Sequence, residues 1–366
     1  MCGWWAGPGG GRIVGPMLED FDDAARVPTV GTGEPSTTGG TRLELPSGGD
    51  LRWQWLTLEQ NDALVALLAR IEAHDDPPYR TSAEESAETF VPVSSDVGTA
   101  KVVGVDTAGV PRAYAIVRVR PTAGTFRALC DGGVDPAWRR RGLGTTLLQW
   151  QLGAARTILD RAGHANALAV VHVEENLTDA QEMLRLAGFV PTRWYTEMRR
   201  DLRRELPDVQ PHGQVTVEPW DPALDDAVRR AHNDAFKDQW GGELHTPETW
   251  AQGRTYFAPE WSFVALDRTS DRARVAGYLI SGRYEGDWAA QGWSEGYTEI
   301  LGVREEWRGM RVATALLVRA MRAYAADGME YAGLGVDSPQ PGTDFGMFGR
   351  LGYEPTRSSL MFSRTV

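Results

Sequence analysis

Apolar positions along this chain alternate between two spacings, and the alternation comes twice in the same order. Leu51 to Leu56 reads as a strand, and Thr57 stands where an N-cap belongs before Leu64, Leu67, Leu68 and Ile71, which are set at helical spacing. Strands are predicted over 101–105 and 113–119, with a turn at Ala108-Gly109, and over 126–134. A helix follows over 142–161, then a strand over 167–173, a helix over 178–187 stopped by Gly188, and a strand near 193–198. After a charged stretch at 201–213 holding Pro207 and Pro211, the order starts again. It predicts a strand near Val215, helices over 222–236 and 247–256, and strands near 262–267, 274–281 and 297–303. A helix over 309–326, a strand over 331–336, a short helix over 344–351 and a closing strand to 364 complete it.

The repeat is also visible residue by residue. Gly133, Val134, Trp138, Arg139, Thr145, Leu147 and Leu148 recur as Gly302, Val303, Trp307, Arg308, Thr314, Leu316 and Leu317. Gly188, Pro191, Thr192 and Arg193 recur as Gly352, Pro355, Thr356 and Arg357. Two matched sets at nearly one offset, each at the same point in the element order, indicate a duplicated domain. The expected layout is an extension at 1–48, rich in Gly, Pro, Ser and Thr, then domains at 49–200 and 214–366 joined by 201–213.

Composition narrows the function. A chain of 366 residues suits two domains, and its net charge of -12 argues against a nucleic-acid partner. Cys2 and Cys130 cannot build a disulfide framework, and no His or Cys falls at metal-ligand spacing, so no metal is expected. The absence of a leader pattern and of a long apolar run predicts a cytoplasmic protein that crosses no membrane.

The segment richest in chemistry is Val134-Asp135-Pro136-Ala137-Trp138-Arg139-Arg140-Arg141-Gly142-Leu143-Gly144, which leaves a strand and opens a helix. Free amides at a helix N-terminus, glycines that permit close approach, and arginines together favour a phosphate group. The plain alternative is a basic helix start with a tight turn. Arg139-x-x-Gly142-x-Gly144 resembles the pyrophosphate loop of the GCN5-related N-acetyltransferases, and Asn176, Ala180, Gly188 and Phe189 fit a later segment of that family. The resemblance covers both repeats, in the two-domain form of the family.

It implies an α/β fold with two mixed, mainly antiparallel sheets flanked by helices, one per domain. It implies acetyl-CoA as cosubstrate, held by Val134, Arg139, Arg140, Arg141, Gly142, Leu143, Gly144 and Asn176 in the first repeat. The second loop would use Leu301, Val303, Arg308, Gly309, Met310, Arg311, Val312 and Ala313, with Arg311 replacing the middle glycine. Coenzyme binding is expected to be tighter in the first loop. His232-Asn233-Asp234-Ala235-Phe236 and Gln239-Trp240 carry the likeness to the two-domain form.

An amine attacking a thioester needs a base. The resemblance points to Glu299, four residues before Val303, whereas by itself Glu299 could be a strand-edge residue facing solvent. Cys130 holds the matching place in the first repeat, beside Asp131, and reads as a buried small residue. Where relatives carry a tyrosine acid, this chain has Leu184 and Phe348, and Gln340 replaces the second asparagine. Tyr297, Tyr331, Tyr353 or water could protonate the thiolate instead. His232 and His245 lie in the acceptor region, and Tyr284, Trp288, Trp293 and Tyr297 could line an acceptor pocket or pack in the core. These residues lead to N-acetyl transfer to a primary amine of a small molecule, in the second domain. A coenzyme-binding module without transfer activity, favoured by the missing tyrosines and opposed by Glu299, is one competing reading. Acetylation of protein N-termini or lysines is the other.

Overall fold

The computed structural model describes residues 43–92, 96–122, 125–237, 244–339 and 345–366. Trp4 and Trp5, together with Cys2, Gln239, Trp240 and Gln340, lie outside the described residues. Among the described residues, no helix is long and apolar enough to cross a membrane. The chain forms two compact units. Among the described residues, the first comprises those from 43 to Thr192 together with Leu360–Val366, and the second those of Arg193–Ser359.

In the first unit, β1 (Arg52–Trp55), β2 (Gly98–Val105), β3 (Pro111–Thr122) and β4 (Thr125–Val134) run antiparallel in that order. β5 (Leu168–Glu174) lies parallel to β4, and the 360–365 end of the last strand, β12 (Glu354–Thr365), follows it in the sheet. Ala167 and Val366 exchange both backbone hydrogen bonds there, at 3.2 and 2.9 Å. α1 (Asn61–Asp75) buries Leu64, Leu67 and Leu68 against Val103, Tyr114 and Ile116 on one face of the sheet. The opposite face packs Trp53, Val102, Ala113 and Ala115 against Leu143 and Leu147 of α3 (Leu143–Arg161). α4 (Thr178–Leu186) ends at Gly188, whose φ of +81° is the left-handed conformation that closes a helix. Thr57 forms a capping box with Gln60 ahead of α1.

The second unit repeats this plan. β7 (Val215–Pro219), β8 (Phe263–Asp267), β9 (Arg274–Gly282) and β10 (Glu295–Val303) run antiparallel, and β11 (Tyr331–Ser338) lies parallel to β10. Within this unit, β11 pairs with residues 194–201 of β6 (Val190–Asp201). α5 (Asp225–Phe236) covers the face holding Tyr278, Ile280 and Ile300. α8 (Val312–Ala326) covers the face holding Leu279, Leu301 and Val303. α9 (Gly346–Arg350) precedes β12.

Three local expectations change. The helix expected over 247–256 is only α6 (Pro247–Trp250), and Gly253 lies beyond it at φ +67°. α2 (Ala83–Glu88) has a polar sequence that hides it from an apolar-spacing reading, and Ser82 starts it by accepting from the Glu85 amide at 3.0 Å. α7 (Glu285–Gln291) is short and polar in the same way.

Candidate active site

Each unit opens its sheet at the same point. The parallel β10–β11 pairing runs from Glu295–Tyr331 to Thr298–Leu334 and stops there, so β10 continues through Ile300–Val303 beyond it. In the first unit, the β4–β5 pairing stops at Leu129–Val170, and β4 continues to Val134. Backbone N–H and C=O groups along such an edge must find other partners, and an extended amide-bearing chain supplies them. Pantetheine is such a chain. Leu301 and Val303 have buried side chains, so they can offer the slot only their backbone.

Both strands run into a loop and a helix N-terminus. In the first loop, Arg140 and Gly142 are left-handed, at φ +62° and +78°; in the second, Gly309 and Arg311 are left-handed, at +76° and +59°. Each loop therefore has one glycine and one arginine at its two left-handed positions, in opposite order. The middle position of the second loop demands positive φ, and Arg311 adopts it at a cost of about 1 kcal/mol or more. Arg140 bears the matching cost. Arg311→Gly should stabilise the second unit by a few tenths of a kcal/mol, because the relieved strain is partly offset by greater freedom of the unfolded chain. Melting curves of the variant would show this as a small upward shift; a downward shift contradicts it.

The loops leave the amides of Leu143, Gly144 and Thr145, and of Val312, Ala313 and Thr314, outside the helical ladder, since the first ladder bonds are Thr146 to Gly142 and Ala315 to Arg311. A Cβ on Gly144 would lie 3.0 Å from the Met183 sulfur, so the glycine permits close packing of α4 on the loop. Ala313 takes that place in the second unit.

The arginines divide their work. Arg139 donates from Nε to the Val134 carbonyl at 3.1 Å and binds both Asp75 oxygens at 2.6 and 2.8 Å. Burial pushes the Asp75 carboxyl up, but Arg139 and His74 hold it below its usual range on balance. Asn176 donates to the Asp75 carbonyl at 3.3 Å. Arg139 and Asn176 thus brace the loop against the end of α1. Arg140 makes an exposed ion pair with Asp179 at 3.0 Å, which contributes little and can be exchanged for a phosphate. Arg141 lies over the Trp138 ring, 4.6 Å from its centre. In the second loop, Arg308 reaches the Ala235 carbonyl at 3.3 Å, and Arg304 holds Asp234 at 2.7 Å.

The slots differ most at the carboxylate. β10 carries a β-bulge between Thr298 and Ile300, and Glu299 is its extra residue. Gly302 faces Tyr278 as Gly133 faces Tyr114, and Ile300 faces Ile280 as Asp131 faces Ile116. Counting back from these pairs, Thr298 corresponds to Cys130. Glu299 has no counterpart in β4, whose register with β3 is regular. The sequence offset had set Cys130 against Glu299; the inserted residue is the reason it misleads.

Glu299 accepts a hydrogen bond from the Tyr284 hydroxyl and leans over Gly282, where a Cβ would meet its Oε1 at 2.5 Å. Gly282 is therefore required for the carboxylate to lie flat on the sheet. Sequence reading had placed Tyr284 among pocket aromatics but not beside the base. Its ring lies 4.7 Å from Tyr256 and 6.1 Å from Tyr297.

Among the tyrosines weighed as acids, Tyr297 donates to Glu197 at 2.9 Å. Tyr353 is buried beside Phe348, its hydroxyl has no partner among the described residues, and burial raises it well above the usual range. Tyr331 sits under the Arg199 guanidinium. His232 bonds the Tyr278 hydroxyl and packs against Phe236 and Trp250 in the core, and His245 is buried beside it. These histidines stabilise the unit rather than face a substrate.

Burial pushes His232 down to about 3 from 6.5. Its folded value lies below its unfolded one, so this contribution is complete above about pH 6.5 and is lost as pH falls towards 3. His172 in the first unit, pushed by burial to about 4, acts in the same direction. Melting temperature should therefore drop from pH 7 to pH 4, and His232→Gln should flatten part of that slope. An unchanged slope would contradict it.

Comparison with known proteins agrees with this geometry. Residues 55–189 match the acetyltransferase (GNAT) family. A mycothiol acetyltransferase of Gordonia bronchialis is 28% identical over 229 residues, covering 60% of this chain and 68% of its own. A GCN5-related N-acetyltransferase structure from Sphaerobacter thermophilus superposes with a TM-score of 0.66 at 23% identity, over 88% of this chain and 97% of that one. A tandem GNAT protein from the clavulanic acid biosynthesis pathway gives 0.63 at 15% identity, over 86% and 98%. These matches place an acetyltransferase (GNAT) domain at residues 55–189 and support an acetyl-CoA-dependent N-acetyltransferase that resembles the mycothiol acetyltransferases.

Proposed function

We propose that the second unit transfers acetyl from acetyl-CoA to a primary amine of a small molecule, with Glu299 as general base. The observation that carries this reading is the bulge, which adds one carboxylate to β10 where the sheet opens and sets it against Tyr284. Glu299 takes a proton from the ammonium or amine nitrogen, directly or through water. The nitrogen attacks the thioester carbonyl, the C–S bond breaks, and coenzyme A leaves as a thiolate. A thiol with an ordinary pKa of about 8.5 leaves near neutral pH with little help, so Phe348 in the place of a tyrosine is no bar to turnover.

The pyrophosphate is held by the helix-start amides with Arg311 in this unit, and by those with Arg140 and Arg141 in the first, which also binds coenzyme. The open slot with its carboxylate favours transfer over a module that only binds. Use of acetyl-CoA suits the cytoplasm, and the net charge of -12 disfavours a nucleic-acid partner.

The test is a panel containing glucosamine, spermidine and glutamate, with thiol release and amide product measured together. Amide formation on a small amine supports the reading. Acetyl groups found only on protein lysines or N-termini, or thiol released with no amide, would overturn it.

A further inference from the structure

The first unit also holds a carboxylate in its opened edge. β4 has no bulge, so its side chains alternate without interruption. Asp131 is opposite Ile116, on the face covered by α1, and Cys130 therefore points to the α3 face. A carboxylate at position 130 could not reach the α1 face, whereas one at 131 does. In the second unit the bulge turns Glu299 onto the corresponding face, where it meets Tyr284. Each opened strand thus presents one carboxylate to the same side, by different local routes.

The surroundings match as well. The pairing of β4 with β5 stops at Leu129–Val170, so Asp131 lies two residues inside the opened edge. It is half-buried, and its oxygens accept from the Tyr114 hydroxyl at 3.3 and 3.4 Å. Gln151 of α3 holds its backbone carbonyl at 2.6 Å. Beyond Tyr114 stand Glu72 and Tyr79, and the Cys130 thiol is adjacent. Burial pushes that thiol up to about 12, which removes it as a nucleophile. Burial likewise pushes the Asp131 carboxyl up to about 7, the range that suits a base near neutral pH. The loop and helix N-terminus that follow are complete.

We propose that the first unit is a second acetyl-transfer centre, with Asp131 taking the proton from a primary amine, or from water when no amine is bound. The amine nitrogen forms a bond to the acetyl carbonyl carbon of acetyl-CoA. The C–S bond breaks with its electron pair on sulfur. The proton held by Asp131 passes to the thiolate, giving coenzyme A thiol and the amide, or acetate when water is the attacking group, with no other reactant. This centre is independent of whether Glu299 is the base in the second unit.

Acetyl-CoA alone is a sufficient probe, because water can take the amine's place and slow thiol release can be followed. The chains compared are Glu299→Gln, Glu299→Gln with Asp131→Asn, and Glu299→Gln with Gly142→Asp. The single variant is expected to retain a hydrolysis component that rises as pH climbs through about 7 and levels above it. Asp131→Asn should reduce that component by about 10²-fold, while calorimetry still finds coenzyme bound in the first unit. Gly142→Asp should remove the same component by removing the coenzyme. A component unchanged by Asp131→Asn across about pH 5 to 9, or lost only together with coenzyme binding, overturns the proposal. So does the absence of any such component in the Glu299→Gln chain. Failure of the Glu299 assignment appears separately, as amine transfer indifferent to Glu299→Gln.

Discussion

Glu299→Gln lowers the rate of amine acetylation in the second unit by a factor of about 10²–10⁴, the usual cost of removing a general base. Glutamine keeps the size of the side chain and can still bond the Tyr284 hydroxyl, so the bulge and the slot persist. Coenzyme affinity should barely change, because the carboxylate lies on β10 ahead of Ile300–Val303 and the Arg308–Ala313 loop. The acid limb of the pH–rate profile should disappear for this unit. Steady-state kinetics across pH on an accepted amine measures both quantities. Wild-type turnover by the variant at every pH would remove Glu299 from the mechanism. Phe348→Tyr is the companion measurement: a raised rate would mean that thiolate protonation limits turnover, and an unchanged rate would mean that it does not.

The second large effect concerns the loops. Gly142→Asp sets a negative charge at the N-terminus of α3, where the pyrophosphate is expected, and does so at a position with φ +78°. Two like charges about 4 Å apart near a protein surface repel by ~4 kcal/mol, which is a factor of about 10²–10³ in affinity. Arg311→Asp should have a similar effect in the second unit, with one cation also lost. Of the two sites, the first should be the tighter in the wild-type chain. Arg140 and Arg141 stand at its turn, where the second loop has Gly309 and Met310, and Arg311 takes the place of Gly142. Calorimetry with coenzyme A on the three chains separates the sites. A Gly142→Asp chain that keeps both the number and the affinity of bound coenzymes would exclude the first loop as a phosphate site.

Much of this architecture is readable from residue pattern. The apolar run of β3 and the helical spacing in α1 and α3 are strong because β3 is buried on both faces and each helix packs one apolar face on the sheet. The loop at Arg139–Gly144 is equally legible, since its glycines and arginines precede a helix. What pattern cannot supply is pairing. The last residues, Leu360–Val366, complete the first unit, although they lie more than a hundred residues beyond its main body. Strand alternation gives a face and leaves the neighbour open.

The bulge has the same character. An offset between repeats puts Cys130 beside Glu299, and only the register with β9 reveals one extra residue in β10. Arg139 is a further case. Its place in the motif suggests a phosphate contact, yet it binds Asp75, which is sixty-four residues away in sequence and adjacent in space. The left-handed conformation of Arg311 is likewise a property of the turn, which the side chain tolerates rather than announces.

The most direct measurement is mass spectrometry of the products formed from isotopically labelled acetyl-CoA and a small-molecule extract, with the wild-type chain and Glu299→Gln side by side. The label should appear on the nitrogen of a small primary amine with the wild-type chain, and that product should fall by about 10²-fold or more with Glu299→Gln. Label found only on protein, or the same amine product formed equally by both chains, would contradict acetyl transfer by Glu299 in the second unit.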